Sequence, residues 1–253
     1  MKRIVTAAVA IPLVLLITIF SPDWLFALIV GLVAAAAAEE FWELGQKKGI
    51  GRPPKWFLAG PLLVTISFLH GFEWVVASVA IAGVVLLTAA VLSGSIESAF
   101  GSVVTGLSSL VYCAGTLGFL ILIPRQWILV LFAIVWIGDA AAYYGGRALG
   151  KHLLAPKVSP KKTVEGAIAG LIGSILIGIA GGTWVFHQPW LTMAFVSVLT
   201  AILGQIGDLA ESVLKRSAGV KDSSSILPGH GGILDRLDSL LFATPIFYWL
   251  LNA

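Results

Sequence analysis

The chain has 253 residues, of which 58% are hydrophobic and only 11% are charged. Soluble globular domains contain about 45–50% apolar residues, so this composition excludes a soluble globular fold. The formal net charge of +3 is small, and the positions of the basic residues indicate a membrane surface rather than a nucleic acid as partner. Cys113 is the only cysteine, which excludes a disulfide framework and a thiolate metal site.

Apolar windows of roughly 15–20 residues recur along the whole chain and predict an all-α polytopic membrane protein. We predict about nine transmembrane helices, near residues 4–20, 23–42, 56–70, 73–93, 103–123, 126–144, 165–186, 190–207 and 238–251. The first begins with Lys2 and Arg3, as a signal peptide would, but no small-x-small cleavage site followed by a hydrophilic region appears after it. We therefore expect a retained helix.

The basic residues predict the orientation of these helices. With the N-terminus in the cytoplasm, the cytoplasmic connections are residues 44–55, 94–102, 145–164 and 208–237. Together with Lys2 and Arg3 they contain 15 of the 16 Lys and Arg residues, and Arg125 is the exception. This bias is the one that the positive-inside rule predicts. We expect an integral protein of a bacterial inner membrane, with its active site on the cytoplasmic side.

The polar residues divide the chain into two regions within one integrated membrane domain. Residues 1–125 are predicted to be a transmembrane scaffold, and residues 126–253 a transmembrane catalytic region. In the scaffold, Glu39, Glu40 and Glu43 follow a run of alanines. We interpret these three acids as the solvated cytoplasmic end of a helix.

The segment WIGDAAAYYGGRALGK (136–151) places an acid inside an apolar helix. We predict that Asp139 lies in the last two turns of that helix and shares one face with Tyr143 and Gly146. An acid at this depth is costly and usually faces protein or a hydrated cavity, so it indicates a functional role. The alternative is an ion pair with Arg147 near the membrane surface.

The segment KVSPKKTVEG (157–166) predicts a phosphate-binding helix start. Ser159 and Pro160 are expected to turn the chain, and Ser159 or Thr163 to cap a helix that begins near Val164. The unpaired N–H groups of a helix N-terminus favour phosphate, and Lys161 and Lys162 add positive charge beside it. An electrostatic anchor to lipid headgroups is the alternative.

A polar stripe follows the eighth predicted span, in GQIGDLAESVLKRSAGVKD (204–222). Asp208, Glu211, Ser212 and Lys215 are spaced to lie on one face of a helix, which Gly219 is expected to end. Two carboxylates and a hydroxyl form a set of oxygen ligands suited to Mg²⁺.

The segment KDSSSILPGHGGILDRLD (221–238) concentrates charge around glycines. Glycine lets backbone amides approach an anion closely, and Asp235 and Asp238 lie one helical turn apart. We predict that Asp208, Asp235 and Asp238 converge on one or two divalent ions. The cations Lys215, Arg216, Lys221 and Arg236 would neutralise a polyphosphate. The alternative is a loop of helix caps and surface ion pairs.

These residues resemble the signature of the phosphatidate cytidylyltransferases, also called CDP-diacylglycerol synthases. The patterns S-x-x-K-R-x4-K-D and P-x-H-G-G-x-x-D-R-x-D stand in this chain as SVLKRSAGVKDSSSILPGHGGILDRLD (212–238). GDAAAYYGGRALGK and SPKKTVEG also look like segments of that family, in the same order. The resemblance covers about residues 139–238 in specific motifs, and the N-terminal spans agree only in character.

The resemblance implies that CTP and phosphatidate react to give CDP-diacylglycerol and pyrophosphate, with Mg²⁺ required and a second metal ion left open. We expect the catalytic residues to be Asp235, Asp238, Lys215, Arg216 and His230. We expect CTP and lipid phosphate to contact Lys161, Lys162, Thr163, Glu165, Ser212, Lys221, Asp222, Gly231, Gly232 and Arg236. The expected metal ligands are Asp208, Asp235 and Asp238, with Asp139 as a weaker candidate.

Other functions would give different reaction products or would require different sequence motifs. A CTP-dependent lipid kinase would use similar metal and phosphate groups but would need a base for its alcohol acceptor. The CDP-alcohol phosphotransferase pattern DGxxAR…GxxxDxxxD is absent from the sequence. A transporter would place its charges near the bilayer midplane rather than at one surface. The sequence leaves open the oligomeric state, a homodimer included, as well as the acyl-chain preference and the choice between CTP and dCTP.

Overall fold

The computed structural model describes residues 2–94, 96–226 and 231–252, with side chains from residue 8 onward. Most of these residues are helical, which confirms the all-α prediction. The helices are α1 (Lys2–Phe20), α2 (Asp23–Lys47), α3 (Ala59–Ser67), α4 (Phe72–Ser93), α5 (Ile96–Ser109), α6 (Thr116–Leu122), α7 (Arg125–Leu149), α8 (Val164–Ala180), α9 (Trp190–Ser217) and α10 (Leu234–Leu251).

Each of the nine predicted spans coincides with helix in the described part of the chain. Six helical segments there are long and apolar enough to cross a membrane: Asp23–Lys47, Phe72–Ser93, Ile96–Leu122, Arg125–Leu149, Val164–Val185 and Trp190–Ser217. Shorter apolar helices cover Ala8–Phe20 and Lys55–His70. The chain is therefore an integral membrane protein.

The chain forms two compact units, residues 1–122 with 214–237, and residues 123–213 with 238–253. The first unit thus contains the last turn of α9 and the first turn of α10, together with the segment between them. The predicted division into a scaffold before residue 125 and a catalytic region after it stays a prediction.

The first unit has an apolar core in which aromatic side chains of α2 and its neighbours are fully buried, among them Trp42 and Phe57. The indole N–H of Trp42 donates to the hydroxyl of Ser109 at 2.9 Å, which satisfies the polar atom of a large buried ring. This bond ties α2 to α5 at the centre of the unit.

The second unit is built around close contact between α7 and α8. Glycines on both helices face the partner, and a Cβ added at Gly170 would lie 3.0 Å from the carbonyl oxygen of Gly138. Small residues of this kind let the backbones of two membrane helices approach. The hydroxyl of Ser174 also donates to the carbonyl oxygen of Ile134 at 2.8 Å, and the side chain of Gln205 on α9 donates to the carbonyl oxygen of Ala167 at 3.0 Å.

The connection between α7 and α8 differs from the sequence prediction. It is an antiparallel hairpin of β1 (Leu153–Ala155) and β2 (Ser159–Thr163), in which Ala155 pairs with Ser159. The turn lies at residues 156–158, where the N–H of Val158 donates to the carbonyl oxygen of Ala155. The predicted turn at Ser159 and Pro160 was wrong, because these residues already belong to a strand.

Candidate active site

The buried centre of the signature segment is an ion pair between Lys215 and Asp235, which lies in the first unit. Lys215 Nζ donates to Asp235 Oδ1 at 2.5 Å, and both residues are more than nine-tenths buried. Asp235 Oδ2 accepts from the backbone N–H groups of Ser223 (2.9 Å) and Gly232 (2.7 Å) and from the Ser223 hydroxyl (2.9 Å). The first turn of α10 also favours an acid, since the helix dipole is positive there. This carboxylate therefore has a fixed position.

The same contacts set the protonation state of Asp235, which precedes the apolar part of α10. Burial raises its pKa, but Lys215 and the N–H groups of Gly232 and Ser223 outweigh burial and hold the pKa below its usual range. Asp235 is therefore ionised at neutral pH. Its negative charge compensates the buried ammonium group of Lys215.

Glu40 on α2 belongs to this centre, which the sequence did not reveal. Only 1% of the residue is exposed, and its carboxylate accepts from the Ser223 and Ser224 hydroxyls and from the N–H groups of Ile233 and Leu234. The interpretation of Glu40 as part of a solvated helix end was wrong. Glu39, its neighbour, instead forms an ion pair with Arg52.

The spacing of residues in α2 contained a signal that Glu40 is buried. Glu40 lies on the same helix face as Ala37 and Leu44, which are both buried. An acid on the apolar face of a helix needs polar partners from elsewhere in the chain. The partners come from residues more than 180 positions later, which no local pattern could identify.

The end of α9 has the form that the sequence predicted. Gly219 has a positive φ of 72°, and the N–H of Val220 donates to the carbonyl oxygen of Lys215. Such a left-handed residue ends many helices and favours glycine. The guanidinium of Arg216 donates to the carbonyl oxygen of Val220 at 2.8 Å. Arg216, Lys221, Asp222 and Arg236 are all exposed.

The second unit contains the other predicted acids. Asp208 forms an ion pair with Lys162, and both side chains are about one-third exposed. The carboxylate of Asp238 interacts electrostatically with Asp208, Glu211 and Asp139. Asp238, a predicted metal ligand, therefore interacts with two other predicted ligands, Asp208 and Asp139, within this unit. Ser212, also on α9, is buried.

Asp139 lies deeper in α7 than the sequence predicted. The helix continues to Leu149, so Asp139 lies almost three turns before its end rather than in the last two. It lines a small pocket with residues of α7, α8, α9 and α10, among them Ser174, Gln205 and Ser239. The mixed polar and apolar lining agrees with the expectation that an acid at this depth faces protein or a cavity.

The hairpin and the start of α8 hold the predicted phosphate-binding residues. The hydroxyl oxygen of Thr163 accepts from the N–H of Gly166 at 3.1 Å, so Thr163 is the N-cap. Glu165 accepts from the N–H groups of Lys151 and His152, and its other oxygen lies 2.6 Å from His152 Nδ1. Glu165 therefore fastens the start of the hairpin to α8. Lys161 is exposed on β2.

We expect Thr163→Ala to lower the free energy of unfolding by about 1 kcal/mol, because the first turn of α8 loses its cap. For a chain of this size the midpoint of thermal unfolding should fall by about 2–4 °C. Thr163→Ser is the matched control, since its hydroxyl can still accept from Gly166. Equal midpoints for the two variants would contradict this role of Thr163.

The structure describes only the last two residues of the PGHGG segment (228–232). His230 lies outside the described residues, as do the proline and the first glycine of PGHGG. Gly231 has a positive φ of 82°, and the amide of Gly232 is directed at Asp235. Within the described ranges, no three His, Cys, Asp or Glu side chains form a group that would hold a metal as they stand. The convergence of Asp208, Asp235 and Asp238 on metal stays a prediction.

The sequence model of the cytidylyltransferase family matches residues 1–253 of this chain. The chain belongs to the cytidylyltransferase family. The resemblance that the signature segment indicated is thereby confirmed.

Curated proteins similar to this chain are named phosphatidate cytidylyltransferase. The one from Staphylococcus haemolyticus is 49% identical over 127 residues, which are 50% of this chain and 49% of the relative. The one from Haemophilus influenzae is 48% identical over 125 residues, or 47% of this chain and 43% of the relative. The one from Synechocystis is 46% identical over 123 residues, or 48% and 41%. The chain thus spans about half the length of the curated cytidylyltransferases that it matches.

Proposed function

We propose that the chain transfers the cytidylyl group of CTP to phosphatidate and releases pyrophosphate. The observation that carries this proposal is the signature segment 212–238, in which a buried Lys215–Asp235 pair lies in a segment with exposed cations. The family match over the whole chain and the names of the relatives support the same reaction. The product would be CDP-diacylglycerol, a precursor in phospholipid synthesis.

In the proposed step, an oxygen of the lipid phosphate forms a bond to the α-phosphorus of CTP. The bond from that phosphorus to the β-bridging oxygen breaks, and pyrophosphate leaves with the electron pair. A phosphomonoester has a second pKa of about 6, so phosphatidate is largely dianionic at pH 7 and needs no strong base. The main obstacle is repulsion between two polyanions, which positive groups can reduce.

The cations of the chain supply part of this neutralisation. We assign Lys215, Arg216 and Lys221 to phosphate groups of CTP or of the lipid, with Lys161, Lys162 and Arg236 as further phosphate ligands. His230 would donate a hydrogen bond to a phosphate oxygen or a proton to the leaving pyrophosphate. Lys215 would turn from Asp235 Oδ1 toward a substrate phosphate, since a lysine ammonium is a mobile point charge.

The acids of the second unit have the chemistry of a magnesium site. Asp208 and Asp139 both disfavour a negative charge on Asp238, and a divalent cation would offset this repulsion. We propose that these residues hold Mg²⁺, and Asp235 Oδ1 remains a predicted ligand. When bound, Mg²⁺ would neutralise phosphate oxygens and align the two substrates. The distribution of Lys and Arg favours the cytoplasmic face of a bacterial inner membrane.

The test is a turnover assay of purified protein in detergent, with phosphatidate and CTP labelled at the α-phosphate. We expect label in a lipid product when Mg²⁺ is present and none after chelation. CTP labelled at the γ-phosphate is the matched control, and its label should leave with pyrophosphate. Label from the γ-phosphate in lipid would establish a lipid kinase instead and overturn the proposal. CTP consumption without labelled lipid would do the same.

A further inference from the structure

Glu40 is a buried carboxylate on α2 that joins two separate parts of the signature region. Its Oε1 accepts from the Ser224 hydroxyl at 2.7 Å and from the N–H of Ile233 at 2.9 Å. Its Oε2 accepts from the Ser223 hydroxyl at 2.8 Å and from the N–H of Leu234 at 2.8 Å. All four donors are neutral, and two of them are backbone groups at the start of α10.

This arrangement is costly unless every bond is made. A buried carboxylate loses its hydration, and each missing hydrogen bond to a charged group costs more than one to a neutral group. An apolar residue at position 40 would leave the N–H groups of Ile233 and Leu234 without this acceptor. The carboxylate thus caps α10 from a distant helix, in the way that an N-cap side chain does locally.

Glu40 is also coupled to Asp235 through one hydroxyl. Ser223 Oγ lies 2.8 Å from Glu40 Oε2 and 2.9 Å from Asp235 Oδ2. A serine hydroxyl has a single hydrogen, so it can donate to only one of the two carboxylates at a time. The position and charge of Glu40 therefore affect how strongly Asp235 is held.

The backbone at Gly232 is packed closely against the side chains of Ser223 and Glu40. A Cβ added to Gly232 would overlap both Ser223 Oγ and Glu40 Oε2. The same glycine donates its N–H to Asp235. A tightly packed cluster is therefore formed by Glu40, Ser223, Gly232 and Asp235, and we name it the Glu40 network.

We propose that Glu40 is a positioning residue for the transfer reaction. By holding Ser223, Ser224 and the start of α10, it fixes Asp235 so that Oδ1 is presented to Lys215. This inference rests on the proposed function, because Asp235 and Lys215 are assigned there to the reaction. Glu40 itself would contact neither substrate.

The test compares Glu40→Gln with Glu43→Gln, which makes the same charge change one turn further along α2. Gln can accept through one oxygen only, and its NH₂ group opposes the N–H donors of α10. We expect kcat of Glu40→Gln to fall by about 100-fold, as for displacement of a catalytic group by about 1 Å. The KM for CTP should change by less than about 3-fold, since the lost contact orients a group rather than binds the nucleotide.

Amide hydrogen exchange supplies a second readout. In Glu40→Gln, exchange should become faster in residues 223–226 and 231–236 and remain unchanged in α7 and α8. Faster exchange throughout the chain would show that Glu40 only supports folding, which would overturn the inference. Unchanged kcat in Glu40→Gln, with an active wild type, would also overturn it.

A double-mutant cycle with Ser223→Ala tests the coupling to Asp235. If Glu40 acts in part through the shared hydroxyl, Glu40→Gln should lower kcat by a smaller factor in the Ser223→Ala background than in the wild type. Effects that multiply in full would overturn the coupling. If Glu40→Gln does not fold, Ser223→Ala and Ser224→Ala still decide, because unchanged kcat in both would overturn the inference. A wild type without cytidylyl transfer would instead refute the proposed function itself.

Discussion

Asp235→Asn is expected to lower kcat by at least about 100-fold, the loss that follows removal of a pre-organised charged group from an active site. Asn keeps the size of Asp235 and can still accept from one of the N–H groups that hold Oδ2. It removes the negative charge that faces Lys215 and the proposed ligand oxygen. The measurement is turnover of α-labelled CTP at saturating substrates and Mg²⁺.

The stability of this variant must be measured in the same preparation. Removing one partner of a buried ion pair costs about 3–5 kcal/mol when the other charge stays buried. Lys215→Met combined with Asp235→Asn is the control, because it removes both charges and should recover part of the thermal stability without recovering activity. Turnover close to that of the wild type in Asp235→Asn would remove Asp235 from the reaction.

Gly232→Ala is expected to disable the same centre through the backbone alone. The added Cβ would overlap Ser223 Oγ and Glu40 Oε2, so either these side chains or the Gly232 segment must shift. Overpacking of this kind costs about 1–3 kcal/mol of stability. The shift would also move the Gly232 N–H away from Asp235, and we expect kcat to fall by about 100-fold.

Gly45→Ala on α2 is the matched control for this substitution. A Cβ there would lie 3.5 Å from Thr105, an ordinary contact distance. We expect it to retain wild-type turnover and thermal stability. If Gly232→Ala behaved like Gly45→Ala in both measurements, the tight packing of the Glu40 network would be refuted.

The features that the sequence predicted well depend on local patterns. Apolar runs predicted nine spans that each coincide with helix in the described part of the chain, because hydrophobic length is a property of neighbouring residues. Gly219 was predicted correctly as a helix end, and Thr163 was one of the two predicted caps of α8, since a helix cap and a left-handed helix end have signatures within a few positions. Family membership came from a motif that is contiguous in the chain.

The features that the sequence did not predict depend on partners that are distant in the chain, or on a choice between two local structures that the same residues could form. Glu40 looked like a surface acid because its four donors lie far away in the sequence. Ser159 and Pro160 looked like a turn, yet pairing with β1 places Ser159 in a strand and moves the turn to residues 156–158.

The close contact of α7 and α8 has a consequence for reading sequence variants of this chain. A change from glycine to leucine at position 138 or 170 would raise the hydropathy of its span and would pass any test for membrane insertion. It would nevertheless separate the two backbones, because the space for a side chain is already filled by the neighbouring helix. Variants at these positions should therefore be judged by side-chain volume, and insertion efficiency will be a poor guide to their harm.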